Sequence, residues 1–143
     1  MKDYNITRVS KIEGRGGVLA FGLQGWLDLS YNGHSSREYY PFTDDTMAFV
    51  AHSVDVPQHI CGALFYRVNE QQQKIEIQFG MIRSDHQRKG LYEELFRQLV
   101  DYHRFTKIYC IETHIHPDNT AMISAAKKRG MKQSASVFRW IKK

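Results

Sequence analysis

The chain has few of the residues that staple small secreted domains or interrupt regular structure. Its 143 residues include only 2 Cys, without CxxC spacing, and 3 Pro. Two cysteines are too few for a disulfide framework, so Cys61 and Cys110 are expected to be reduced thiols. No apolar run approaches the roughly 18 residues of a membrane span, and Met1–Asn5 lack the apolar stretch of a signal peptide. We therefore expect a cytoplasmic protein without a membrane partner.

The remaining composition is typical of a single globular domain. Hydrophobic residues make up 42% of the chain and charged residues 24%, which excludes a disordered protein. The length suits one domain, so residues 1–143 are treated as one unit. Lys and Arg outnumber Asp and Glu by 20 to 15, for a net charge of +5. This excess favours an anionic partner: a phosphorylated cofactor, a nucleic acid or an acidic protein.

The first half of the chain is rich in strand patterns. The predicted strands are Tyr4–Val9, Met47–His52, Ile60–Val68 and Lys74–Ile82. The polar turn at residues 69–73 predicts an antiparallel meander. Val18–Leu29 could form an apolar helix, although Gly22 and Gly25 each cost roughly 1 kcal/mol there.

After Ile82 the apolar period changes from two to nearly four. Leu91, Leu95 and Leu99 predict a helix from Gly90 to about His103. The later predicted elements are a strand over Lys107–Thr113, a helix that Asp118 or Asn119 caps and that ends at Arg129, and a last strand over about Ser134–Ile141. Strands joined through a helix run parallel. The sequence thus predicts a mixed sheet in an α/β or α+β fold.

A polar, basic loop joins the strand ending at Ile82 to the helix beginning near Gly90. Gly90 at the helix start leaves backbone N–H groups without intrahelical partners, and the helix dipole favours an anion there. Arg88 and Lys89 add full positive charge. Loops of this kind hold a pyrophosphate, and the alternative is an ordinary turn with solvated basic residues.

The context of this loop resembles the central motif of the GNAT superfamily, the general-control-related N-acetyltransferases, and most closely their histone-acetyltransferase branch. The family pattern is a strand, a short polar loop and then Gln/Arg-x-x-Gly-x-Gly/Ala opening a helix, which is Gln87–Tyr92 here. Asp118–Met131 is similar to the family's following Asn-containing helix. The resemblance covers about residues 46–141. It implies a single GNAT-like domain with a mostly antiparallel central sheet flanked by helices, in which one parallel strand pair splays at the cofactor site.

The resemblance also implies a co-substrate, acetyl-CoA, and residues that hold it. The amides of about Arg88 to Tyr92 would bind its pyrophosphate, and Asn119 would hydrogen-bond its pantetheine arm. The full implied set is Met81, Ile82, Gln87, Arg88, Lys89, Gly90, Leu91, Tyr92 and Asn119. Residues 46–141 would form the cofactor-binding core and residues 1–45 the acceptor side, where Trp26, Tyr31, Tyr39, Tyr40 and Phe42 form either an acceptor wall or plain core.

Two further residues carry the implied chemistry. The Gly80 backbone N–H would stabilise the oxyanion, and Glu76 falls where the histone-acetyltransferase branch keeps its general base. A lysine-type amine with a pKa near 10.4 must lose a proton, which costs on the order of 4–5 kcal/mol at pH 7. A carboxylate in this otherwise apolar strand could take that proton. The alternative is that Glu76 faces solvent, since strand residues alternate sides.

The chain departs from the family pattern at two positions. Tyr92 replaces a small residue, so either the loop is displaced or the ring points away from the cofactor. The tyrosine that often protonates the leaving thiolate is absent, and its position corresponds to Ala126 or Ala125. We leave Tyr109 and the cysteines open as replacements.

No metal is expected from the residue spacing. Glu112, His114 and His116 alternate along a strand end without a convincing further ligand. Cys110 is expected to be a buried, inert thiol rather than an acyl carrier. A single strand after Gly130 would leave an open sheet edge, which predicts a homodimer or cover from the N-terminal segment.

The resemblance implies an acetyl-CoA-dependent N-acetyltransferase that uses direct attack in a ternary complex. The acceptor is an amine on a protein or a small molecule, which the sequence does not identify. The alternative is a catalytically weak GNAT-like module that holds acyl-CoA or an anionic partner such as nucleic acid. Interleaved aromatic and basic residues could bind RNA or DNA, although no single-strand-binding signature is present.

Overall fold

A computed structural model describes residues 3–31, 42–115, 117–134 and 137–142. The described strands form one 7-stranded sheet of order β1-β2-β3-β4-β5-β7-β6. They are β1 (Tyr4–Val9), β2 (Met47–Ser53), β3 (Ile60–Asn69), β4 (Lys74–Ile82), β5 (Cys110–His114), β6 (Lys132–Ser134) and β7 (Val137–Ile141). The α-helices are α1 (Gly16–Tyr31), α2 (Leu91–Tyr102) and α3 (Thr120–Lys128). Among these strands β4 and β5 are the one parallel pair, which confirms the predicted mixed sheet.

Helices cover both faces of the sheet. The larger core lies under α2 and α3, where Leu91, Leu95 and Leu99 are buried as their four-residue spacing predicts. The smaller core lies under α1 and includes Phe65 and Phe79 of β3 and β4. Within the described ranges, no helix is both long and apolar enough to cross a bilayer.

The two glycines of α1 allow this helix to lie close to the sheet. A Cβ at Gly22 would come within 2.8 Å of the Phe65 ring, and one at Gly25 within 2.0 Å of the Met81 sulfur. The close contact of α1 with β3 and β4 offsets the low helix propensity of glycine. The predicted apolar helix is therefore confirmed, over Gly16–Tyr31.

The parallel pair separates partway along β4. Register partners run from Lys74 opposite Cys110 to Ile77 opposite Thr113, and then β5 ends while β4 continues to Ile82 against β3. Beyond Ile77, no described strand pairs with β4 on its β5 side. This confirms the predicted splay near Gly80 and Met81, and it opens a cleft between β4 and the start of α2.

The end of the chain differs from its prediction. The single strand predicted over Ser134–Ile141 is wrong, because the segment forms two antiparallel strands, β6 and β7. The sequence pattern missed β6 because its three residues are polar and exposed. β7 pairs with β5, and β6 covers the outer edge of β7. The unpaired single strand that suggested a homodimer is therefore absent, and dimerisation through the short β6 edge stays a prediction.

Candidate functional site

A cavity of about 590 Å³ lies at the splay, between the end of β4 and the starts of α2 and α3. Its wall contains Gly80 and every predicted cofactor-binding residue except Lys89. His86, Ala125 and Arg129 also line it, and none of these three residues was predicted to bind the cofactor. The fold thus gathers the predicted residues of the strand, the loop and the second helix around one space.

The loop before α2 turns its backbone through two left-handed residues. Arg88 has a φ of 63° and Gly90 a φ of 75°. Gly90 is the N-cap residue of α2, and no side chain among the described residues caps it. The N–H groups of the first helical turn therefore lack a side-chain acceptor beside the cavity, as an anion-binding loop requires. Buried Leu91 anchors the helix start in the core.

Arg129 brings to the cavity wall a guanidinium, paired with Glu93 of the same wall, that was not predicted from the sequence. Its side chain is only 8% exposed and donates to the Glu93 carboxylate at 2.8 Å. Its guanidinium lies 4.6 Å from the centre of the Tyr92 ring. The position is hard to find from sequence, because Arg129 follows two lysines and resembles an ordinary basic helix end.

Tyr92 faces the cavity rather than pointing away from it. A Cβ added to Gly80 would lie 2.6 Å from Cε2 of the Tyr92 ring, so the ring occupies the space beside the strand glycine. Burial raises the pKa of Tyr92 to about 12, which leaves the phenol protonated at physiological pH. Of the two alternatives for Tyr92, a displaced loop or a ring that points away from the cofactor, the second does not describe a ring that lines the cavity.

The two alanines considered for the position of the absent tyrosine have different surroundings. Ala125 lines the cavity, whereas Ala126 is fully buried in the larger core. Tyr109 does not replace this tyrosine. Its backbone N–H donates to the carbonyl of Gln73, which directly precedes β4, whereas Gly80 lies near the other end of that strand. Of the tyrosines considered, Tyr92 is the one in the cavity wall.

Asn119 reaches the cavity from the start of α3. Its Oδ1 accepts a hydrogen bond from the Met122 N–H at 3.3 Å and so caps the helix. Because the cap uses the oxygen, the side-chain NH₂ group is the part that a ligand can use. This agrees with a donor to the pantetheine arm.

Glu76 is not part of the cavity wall. It lies in a row of charged register partners that crosses β3, β4, β5 and β7: Arg67, Glu76, Glu112 and Arg139. Glu76 Oε1 is 3.5 Å from Arg67 Nε, and the Glu76 side chain is 36% exposed. The carboxylate is thus open to solvent and beside a guanidinium, not enclosed by apolar groups as the strand composition suggested.

The other residues considered for chemistry have ordinary surroundings. Glu112 accepts from Lys74 Nζ at 3.1 Å and from Arg139 Nε at 2.7 Å, so its carboxylate is already paired. His116 lies outside the described residues. Burial raises the pKa of the Cys110 thiol, which agrees with an inert core cysteine.

Some aromatic residues of the predicted acceptor side pack in the smaller core, and others lie outside the residues that the structure describes. Phe42 is buried and packs on Phe65 with ring centres 4.8 Å apart. Tyr39 and Tyr40 lie outside the described residues. For Phe42 the plain core interpretation is therefore the correct one.

The sequence model of the acetyltransferase (GNAT) family matches residues 22–131. That range contains the loop, both helices of the cavity and all of β4. No curated protein sequence matches the chain.

Solved structures share the whole fold. An acetyltransferase of the GNAT family from Streptococcus pneumoniae superposes with a TM-score of 0.74 at 11% identity, covering 99% of this chain and 100% of that one. The ribosomal-protein-S18-alanine N-acetyltransferase of Escherichia coli gives 0.72 at 10% identity, covering 98% and 95%. The spermidine N-acetyltransferase of Vibrio cholerae gives 0.69 at 14%, covering 99% and 95%. At these identities the likeness concerns the fold.

Proposed function

Because the chain belongs to the GNAT acetyltransferase family, we propose that it is an acetyl-CoA-dependent N-acetyltransferase acting on an amine of a protein or a small molecule. The observation that carries this proposal is the cavity at the splay, where uncapped helix amides meet an open strand edge. Its volume of about 590 Å³ falls in the range of about 300–1,000 Å³ that is usual for ligand sites.

The residues of the cavity fit acetyl-CoA. The amides of about Arg88 to Tyr92 bind the pyrophosphate in this proposal, and the guanidinium group of Arg88 adds positive charge. The open edge at Met81 and Ile82 offers backbone groups to pantetheine, and Asn119 donates its NH₂ group. When bound, acetyl-CoA supplies an activated acetyl thioester, and the protein supplies binding and orientation.

Gly80 is proposed as the donor that stabilises the reacting carbonyl. Negative charge develops on the thioester oxygen as the amine adds, and a fixed backbone N–H compensates it. A glycine suits this position, because a side chain here would meet Tyr92.

Glu76 is proposed as the general base. Its accessible carboxylate lies four residues before Gly80 on the same strand, roughly 13 Å away at full extension. A bound amine or a bridging water must span the remaining distance. Asp45, also near Arg67, adds a second carboxylate at this edge and favours a cationic acceptor.

Tyr92 is proposed to take the place of the absent tyrosine. With a pKa of about 12 the phenol keeps its proton, so it serves as a hydrogen-bond donor to the departing sulfur. Its ring already lies beside Gly80, and the Arg129 guanidinium packs over the ring. In this scheme α2 supplies the group that the alanine at position 125 lacks.

The test is a binding measurement followed by a turnover assay. Titration calorimetry with CoA and acetyl-CoA should give saturable binding, and CoA at 100 times its dissociation constant should stabilise the fold by about 2.7 kcal/mol. Release of free thiol in the presence of a panel of amines then measures turnover. Absence of CoA binding contradicts the proposal, and tight binding without turnover on any amine favours the non-catalytic module.

A further inference from the structure

A second cluster of chemically reactive side chains lies beside the loop that precedes α2. One donor atom from each of His59, Cys61 and His86 lies within 4.8 Å of the other two. They lie between positions 59 and 86 and follow no metal-binding spacing, so no sequence motif predicts the cluster. We propose that these three residues form a binding site for a transition metal ion of the zinc class.

The backbone holds the three residues in place. His59 directly precedes β3 and Cys61 is the second residue of that strand, so the two donors are brought together by one short segment of the chain. His86 ends a short 3-10 turn over Ser84–His86. The Arg83 N–H donates to the Cys61 carbonyl at 2.9 Å, and this bond ties the loop to β3 next to the cluster.

The donor set suits a borderline-soft cation. Zinc binds imidazole nitrogen and thiolate sulfur at about 2.0–2.3 Å, which separates donors in a tetrahedral site by about 3.3–3.6 Å. Donor atoms within 4.8 Å of one another reach that spacing through side-chain rotation. Calcium and magnesium require oxygen ligands and are excluded by this chemistry. Three protein donors leave a fourth position for a water or an added ligand.

The surroundings of the cluster resemble the outer shell of a metal site. The Tyr4 hydroxyl and His86 Nδ1 are 2.8 Å apart, so β1 fixes the orientation of the His86 ring. The Asp85 carboxylate lies 3.7 Å from His86 Nε2. Cys61 is fully buried while both imidazoles are partly exposed, so an ion can enter past the imidazoles and rest on the sulfur.

Cys110 provides the natural comparison. It is also buried, and charged groups act on both thiols: Glu112, Arg139 and Lys74 on Cys110, and Asp85, Arg83 and Lys89 on Cys61. Two cysteines of similar burial therefore have different partners, and only Cys61 belongs to a cluster of three donors among the described residues.

The experiment uses the full chain without an affinity tag, stripped with a chelator and titrated with Co²⁺ and then Zn²⁺. We expect one Co²⁺ per chain, with a thiolate-to-cobalt charge-transfer band in the near ultraviolet that Zn²⁺ removes. Cys61→Ser should abolish the band, and Cys110→Ser should keep it. Absence of a thiolate band in the wild-type protein, or its survival in Cys61→Ser, overturns the proposal.

Because Cys61 is buried, its variant could unfold, so the histidines provide an independent measurement. His59→Ala should weaken Co²⁺ binding by at least about tenfold, as expected when a site loses a ligand or its support. The matched control His114→Ala, an exposed histidine on β5, should bind like the wild-type protein. Equal affinity in both histidine variants overturns the proposal, and circular dichroism shows whether each variant is folded. None of these readouts depends on acetyltransferase activity.

Discussion

The ring of Tyr92 occupies the space that a side chain at position 80 would need. Cε2 of the ring lies 2.6 Å from the place of a Cβ on Gly80. The small residue that the GNAT resemblance leads us to expect at the helix start is replaced by a tyrosine, and the strand opposite carries a glycine. In this protein the large residue of the contact is Tyr92 on α2, and the small one is Gly80 on β4.

This fit predicts that Gly80→Ala destabilises the protein by about 1–3 kcal/mol, because the new methyl group displaces the ring. Tyr92→Ala should relieve the clash, so the double variant should lose less stability than the sum of the single losses. Urea unfolding of the four proteins measures this coupling. Simple additivity would show that the two side chains do not compete for space.

Loss of the Tyr92 hydroxyl should slow the reaction without weakening cofactor binding. We expect Tyr92→Phe to lower kcat by about tenfold and to leave the Kd for CoA within about threefold, since the ring and its contact with Arg129 remain. Tyr109→Phe, at the other end of β4, is the matched control and should keep full kcat. A fully active Tyr92→Phe enzyme would remove the hydroxyl from the mechanism.

Glu76→Gln should lower kcat at pH 7 by about 100-fold, because the amine then lacks its proton acceptor. The deficit should shrink as the pH approaches the pKa of the amine, which then loses its proton unaided. Glu112→Gln changes the neighbouring carboxylate of the same charged row, and it should reduce stability while leaving kcat unchanged. If both variants lose kcat equally, the row acts as a structural unit and Glu76 is not the base.

His103 should make stability depend on pH. Burial, with Arg8 and Lys142 nearby, lowers its pKa from 6.5 to about 4, and the rings of Tyr66 and Tyr102 also face it. Between pH 6.5 and pH 4, His103 is protonated in the unfolded chain but stays neutral in the folded one. Protonation therefore favours the unfolded chain, and the free energy of unfolding, which is highest above pH 6.5, decreases as the pH falls toward 4. The loss should reach about 3 kcal/mol.

Denaturant unfolding at several pH values from 7.5 to 4 checks this expectation. His103→Phe removes the titrating group and keeps an aromatic ring, so its stability should fall less over the same range. The difference between the two proteins isolates His103 from the carboxylates, which also titrate near pH 4. If the stability of both proteins changes equally with pH, His103 is protonated as readily in the folded protein as in the unfolded chain, and the expectation is wrong.

The sequence predicted those elements whose signal is local and repeated. The spacing of Leu91, Leu95 and Leu99 predicted α2, and the bounds of β4 were predicted as observed, Lys74–Ile82. Most of the predicted cavity residues are neighbours in one motif, Gly80–Tyr92, and Asn119 came from the second stretch that resembles the family. β6 was missed because three exposed polar residues carry no apolar alternation, so only its pairing with β7 makes it a strand.

The missed parts of the site depend on contacts between distant segments. Arg129 enters the cavity because α3 packs beside α2, and His59 meets His86 because β3 runs beside the loop. The surroundings of Glu76 come from Arg67 on the neighbouring strand. Strand alternation does not say which face of the sheet the Glu76 side chain occupies. The charged residues beside it are set by the pairing of β4 with β3 and β5, which the sequence does not reveal.

The early end of β5 has a consequence for the handling of the protein. From residue 78 onward the outer edge of β4 presents backbone groups without a described strand beside them, and such edges promote aggregation. A bound pantetheine arm would cover this edge as a substitute strand. The ligand-free protein should therefore precipitate on storage sooner than the CoA-saturated one, so the co-substrate would also act as a solubilising agent.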